Sequence, residues 1–210
     1  LAGQYGAEIS ALIASGADVV HSSFWGGDME AFVLQAAPRG LFQRSKVVLT
    51  TGETGLHKLG TQIPEGTIIG ARGPFGPFAP DTELNRWLVK AYSERHKEPP
   101  TYPAYKMSQA LLGLKAAYEK AQAANGGQAP SQDQVIEAFE HLEYEGPGGT
   151  VRMALGNGHQ AVMETAYGEV KHENGKAVVV NVRRYTAEQV NPPDGMQSAA
   201  WIKNDLKPVQ

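Results

Sequence analysis

Two short segments concentrate the residue types that could do chemistry. Ser22-Ser23-Phe24-Trp25-Gly26-Gly27 sets two hydroxyls beside two aromatics on a glycine-flexed turn. The helix expected after it would favour an anionic group at its N-terminus. Thr51-Gly52-Glu53-Thr54-Gly55 holds one carboxylate among small residues, a setting suited to a ligand ammonium or another donor. The competing reading is structural: Ser22 and Ser23 turn the chain, Phe24 and Trp25 pack in the core, and Glu53 is solvated. Tyr102 and Tyr105 stand just past a proline break and either face a cleft or pack at a helix entry.

Catalytic signatures are absent. Gly52-Glu53-Thr54-Gly55-Leu56-His57-Lys58 resembles a phosphate loop only superficially. His57 stands where the last glycine belongs, and no Ser or Thr follows Lys58. Neither G-x-G-x-x-G nor G-x-S-x-G occurs. The histidines at 21, 57, 96, 141, 159 and 172 have no metal-ligand spacing, so no metal site or cofactor is expected. With zero cysteines, a disulfide scaffold, a thiolate metal site and a cysteine nucleophile are excluded. An enzyme has no positive support.

The elements that must position these segments alternate. Ile9, Leu12 and Ile13 at helical spacing, stopped by Ser15-Gly16, predict a helix over 6–15. Asp18-Val19-Val20-His21-Ser22 reads as a short strand in a buried parallel position. Asp28 is the expected N-cap of a helix burying Met29, Phe32, Val33 and Ala36, ended by Pro38 and Gly40. Residues 46–50 and 67–71 read as two further strands. Such alternation predicts βαβ units, an α/β class with a parallel sheet and flanking helices. The two chemical segments then leave the C-terminal ends of the first two strands, where open α/β sheets bind ligands.

Residues 72–80 contain three prolines and two glycines and read as a crossing segment. Asp81 is the expected cap of a helix to His96 with Leu84, Trp87, Leu88 and Ala91 inward. A long helix over 104–124 carries Leu111, Leu112 and Ala116. Ser131 and Gln134 make a capping box for a helix bearing Val135, Ile136, Phe139 and Leu142. A turn at 146–149 leads into a strand, and residues 165–171 and 176–185 flank Asn174-Gly175 as a hairpin. The polar tail holds Trp201, expected to dock on the body.

Composition bounds the function. The 210 residues are ample for a core, and 41% hydrophobic with 20% charged residues is globular rather than disordered. A net charge of −3 is too weak a field for a dedicated nucleic-acid binder, so no nucleic-acid partner is expected. No apolar run approaches membrane-spanning length. Leu1 is not a start Met, and the chain reads as a mature segment or fragment whose N-terminus and any targeting signal lie upstream.

The order of several blocks carries a resemblance. Ala14-Ser15-Gly16-Ala17-Asp18-Val19-Val20, Phe24-Trp25-Gly26-Gly27-Asp28 and Gln35-Ala36-Ala37-Pro38-Arg39-Gly40-Leu41 come first. Glu65-Gly66-Thr67, the helix within 110–123, Gly148-Gly149-Thr150-Val151 with His159-Gln160-Ala161, and Gly168-Glu169-Val170 follow. Together they resemble the C-terminal portion of a periplasmic solute-binding protein of ABC transporters, Leu/Ile/Val-binding (branched-chain amino-acid) type. The resemblance implies a two-lobe type I fold, parallel sheets flanked by helices with three crossovers, here with the N-terminal part missing. It places 1–71 in the second lobe, 72–160 as a crossing and return to the first lobe, and 161–210 as a final crossing, hairpin and tail on the second lobe.

The same resemblance implies the substrate-binding component of an importer. It would bind a small polar solute, an amino acid or related carboxylate or amide, in the cleft between lobes, without catalysis. A ligand-sensing regulatory or receptor domain of the same fold is the alternative. Ser22, Ser23, Phe24 and Trp25 align with the second-lobe aromatic contact, Glu53 with the acidic residue that pairs the ligand ammonium, and Tyr105 is a candidate across the cleft. Amino-acid binders often carry Tyr where Ser22 and Ser23 stand, so aromatic acids and amides remain open, with Trp25 suited to stack a flat ligand. The implied partners are a solute, an ABC permease complex, and the missing N-terminal part of the same protein, from a second chain if not from this one. The implied location is periplasmic, or extracytoplasmic and lipid-anchored in a Gram-positive.

Overall fold

A computed structural model describes residues 3–153, 160–193 and 195–207. His159, part of one resembling block, lies outside them. The chain divides into two compact units, residues 1–78 with 166–184 and residues 79–165 with 185–210.

The first unit opens on α1 (Gly6–Ser15), closed by Gly16 in the left-handed region. β1 (Val19–Ser22), α2 (Gly26–Ala36), α3 (Leu41–Arg44), β2 (Lys46–Leu49), α4 (Glu53–Leu59) and β3 (Ile68–Gly70) follow. β1, β2 and β3 are parallel neighbours, with Val20 opposite Val47 and Val48 opposite Ile68. The helical spacing of Met29, Phe32, Val33 and Ala36 buries all four side chains. They share the unit's buried set with Ile9, Leu41, Val47, Leu49 and Ile69.

Two local expectations are corrected here. α2 starts two residues before Asp28, with extended Trp25 at the N-cap, so that Asp28 lies inside the first turn, where its carboxylate accepts the Tyr5 hydroxyl. β1 is parallel as expected but forms the sheet edge, where Val19 is 58% exposed, because nothing among the described residues pairs its outer side. The crossing segment lacks regular structure apart from a single 3₁₀ turn, Gly76–Phe78.

The second unit holds α5 (Glu83–His96), α6 (Tyr102–Ala124), α7 (Gln132–Ala138) and the antiparallel strands β4 (Glu143–Gly146), β5 (Gly149–Met153) and β6 (Ala161–Val162). Thr82 caps α5 by accepting from the Asn85 N–H at 3.1 Å, while Asp81 pairs with Arg86 at 2.5 Å. Of the expected α5 inner face only Leu88 is fully buried; Trp87 and Ala91 are exposed. The Ser131–Gln134 capping box is present on α7. α6 buries Tyr105, Gln109, Gly113, Ala117 and Ala121, a stripe at four-residue spacing. Ala117 and Ala121 pack with Ala138, Leu142 and Met153. Leu111 on the same helix is 61% exposed.

β7 (Thr165–Glu173) then returns to the first sheet, antiparallel to β3, and turns at Asn174-Gly175, both at positive φ, into β8 (Lys176–Tyr185). The first sheet is therefore ordered β1-β2-β3-β7-β8. α8 (Ala187–Val190) and α9 (Ser198–Lys203) follow in the second unit with residues 79–165, and Trp201 is buried. Among the described residues no helix is long and apolar enough to cross a membrane.

Candidate functional site

The loops leaving β1 and β2 lie side by side at the C-terminal edge of the parallel sheet, laced by two threonines. Thr50 donates its N–H to the Ser22 carbonyl at 3.0 Å, and its hydroxyl to the same oxygen at 3.1 Å. The Thr50 hydroxyl also lies 2.8 Å from His21 Nε2. Thr51, fully buried, donates its hydroxyl to the Phe24 carbonyl. Ser22 Oγ accepts from the Phe24 N–H at 3.2 Å, a local serine turn. Ser22 thus turns the chain, and Ser23 is exposed.

The two aromatics part company. Phe24 turns its ring onto Tyr5 (centroids 5.1 Å) and edge-on to Phe32 (5.8 Å), and is 38% exposed. Trp25, its neighbour in extended backbone, is 56% exposed. Tyr5 donates its N–H to Gln35 Oε1 at 2.9 Å and its hydroxyl to Asp28. The Asp28 bond, then burial, raises the phenol above its ordinary value of 10.0.

Glu53 opens α4 and is only 3% exposed. It is enclosed by the crossing segment: a Cβ on Gly76 would stand 2.9 Å from Glu53 Cγ and Oε1. The solvated alternative for Glu53 is thereby corrected, because the turn at Gly76 covers its carboxylate. Tyr105 belongs to the second unit, fully buried, its hydroxyl donating to Asn85 Oδ1 at 2.8 Å. So Ser22, Ser23, Phe24, Trp25 and Glu53 share one sheet edge, and Tyr105 lies in the other unit. Among the described residues no three His, Asp or Glu side chains converge to hold a metal ion. Tyr5 and Thr51, which organise the loop, stand far from it in sequence, and no local spacing announces them.

The loops carrying these aromatic and hydroxyl groups leave the C-terminal ends of the parallel strands, the edge at which open α/β sheets in general bind ligands. The family profile described as "Periplasmic binding protein" matches residues 2–176. The chain belongs to the periplasmic binding protein family, as the ordered blocks of its sequence suggest.

A search of curated proteins returned no match. Among solved structures, an amino acid ABC transporter substrate-binding protein from Pseudomonas fluorescens Pf-5 is 25% identical, TM-score 0.65, over 87% of this chain and 48% of its own. An ABC transporter solute-binding protein from Rhodopseudomonas palustris BisB5, in complex with 3,4-dihydroxybenzoic acid, is 19% identical, TM-score 0.69, over 88% and 49%. A leucine binding protein from Thermotoga maritima MSB8 is 16% identical, TM-score 0.64, over 86% and 48%. The chain thus spans about half the length of these relatives, and its fold is that part of the type I periplasmic-binding-protein fold.

Proposed function

We propose that this chain forms part of the solute-binding component of an ABC importer. It would take a small polar solute, an amino acid or a related carboxylate or amide, in an extracytoplasmic compartment and hand it to a permease complex. The observation that carries the reading is the sheet-edge pair of laced loops, one carrying exposed Ser23 and Trp25 and the other the enclosed carboxylate of Glu53. The ligand groups would come from Ser22, Ser23, Phe24, Trp25 and Glu53.

The chemistry divides by ligand. A flat carboxylate or amide uses the exposed indole face, which offers large contact area at low entropy cost. An amino acid also needs its ammonium at Glu53, whose carboxylate must first be uncovered by a shift of the turn at Gly76. A cation there would offset the cost of keeping that carboxylate out of water. The similar solved structures span both classes, an amino acid ABC transporter substrate-binding protein and a solute-binding protein in complex with 3,4-dihydroxybenzoic acid.

A thermal-shift screen of the protein against amino acids, benzoates and amides tests the reading. A solute at one hundred times its Kd stabilises by about 2.7 kcal/mol, which is about 5–11 °C for a chain of this size. Glu53→Gln is expected to remove the shift from amino acids and spare solutes lacking an ammonium. Absence of any solute-dependent shift in the wild-type protein would overturn the proposal.

A further inference from the structure

We propose that Tyr5 and Thr51 are positioning residues of the solute site: together they pin Phe24 as a brace, so that Trp25 is the member of the aromatic pair offered to the ligand. The inference rests on the solute-binding reading above and says which of its two aromatics makes contact.

Consecutive side chains of an extended backbone point to opposite sides. With Trp25 extended at φ −142 and ψ 163, whichever way Phe24 is held decides where the indole goes. Phe24 is held at two points. Its carbonyl accepts the buried Thr51 hydroxyl across 27 residues of sequence. Its ring lies against Tyr5 and Phe32, which also meet edge-on at 6.1 Å.

Tyr5 closes the circuit. Its hydroxyl bonds Asp28 in the first turn of α2, and its N–H bonds Gln35 toward the end of the same helix. Gln35 in turn donates to the Gly3 carbonyl at 3.0 Å. The segment before α1 is thus clamped along α2, and the Tyr5 ring is the wall against which Phe24 rests. Preorganisation of this kind lowers the ordering cost of binding, because the loop need not be fixed by the ligand. A ring packed to hold α1 on α2 and nothing more would leave Trp25 indifferent to Thr51.

The test uses the whole chain labelled with 5-fluorotryptophan. Its three tryptophans give three fluorine resonances, assigned by replacing each with Phe in turn. Thr51→Val removes the bond to Phe24 at nearly constant shape, and Tyr5→Phe removes only the bond to Asp28. Both are expected to shift or broaden the Trp25 resonance while Trp87 and Trp201 stay in place. Thr51→Ser, which keeps the donor, is expected to restore it.

Calorimetry with L-leucine and with benzoate as probes is the functional arm. Thr51→Val is expected to weaken whichever probe binds the wild type by about tenfold, and Thr51→Ser to recover most of that loss. A Trp25 resonance unchanged in both Thr51→Val and Tyr5→Phe overturns the inference, as does movement of all three resonances together. If neither probe binds the wild-type protein but the Trp25 resonance still depends on Thr51, the brace is supported and the solute reading for these two ligand classes fails.

Discussion

Tyr5 and Gly76 each do a job that their own sequence neighbours do not announce. The Tyr5 phenol is raised above 10.0 by its bond to Asp28, so that bond is intact below the unfolded value of 10.0 and is lost as pH rises through the higher folded value. Melting curves of wild type and Tyr5→Phe should therefore differ by a constant Tm gap from pH 7 to 9, narrowing only above pH 10. Trp25→Ala, at an exposed position, should leave stability within about 0.5 kcal/mol while removing solute binding, separable by melting and calorimetry on one sample. At Gly76 φ is 55, and an added methyl would meet the enclosed Glu53 carboxylate. Gly76→Ala should cost about 1–3 kcal/mol by denaturant titration.

Elements here are decided by what they pack on as much as by their own propensity. α6 contains Gly113, and a helix-interior Gly→Ala change ordinarily gains up to about 1 kcal/mol. At this position the added Cβ would lie 2.7 Å from Tyr144 Cζ and Oη on β4. Gly113→Ala is therefore expected to destabilise by about 1–3 kcal/mol, opposite to the propensity rule, as a urea titration would register. The β7–β8 hairpin is the contrary case: Asn174-Gly175 adopts the positive φ values its residue types favour, so local chemistry and fold agree.

Over the whole molecule, several large apolar side chains stay exposed. Met107, Leu111, Leu114 and Tyr118 recur at four-, three- and four-residue steps on one face of α6, and all are exposed. The stripe has the pattern of a buried face without the burial. Leu111→Ser should therefore change stability by no more than about 0.5 kcal/mol, against about 2–5 kcal/mol for a buried Ile9→Ala. A double Leu111→Ser, Leu114→Ser variant should also bind less of a hydrophobic dye at equal protein concentration.

By itself the sequence determined the parts whose signals span only a few residues. The three parallel strands follow from their apolar β-branched runs, and the buried face of α2 from Met29, Phe32, Val33 and Ala36. The capping box follows from Ser131 and Gln134, and the hairpin from Asn174-Gly175. The ordered blocks also sufficed for the family. Tertiary structure alone decided that β1 is an edge, that Asp28 lies inside the first turn of α2 and meets Tyr5, that Leu111 faces outward, and that Gly76 covers Glu53. The two loops were legible as candidates because strand ends can be read, but their lacing was not. Thr51 reaches Phe24 across 27 residues and Tyr5 reaches Asp28 across 23, and periodicity carries no information about which distant side chains a fold brings within hydrogen-bond range.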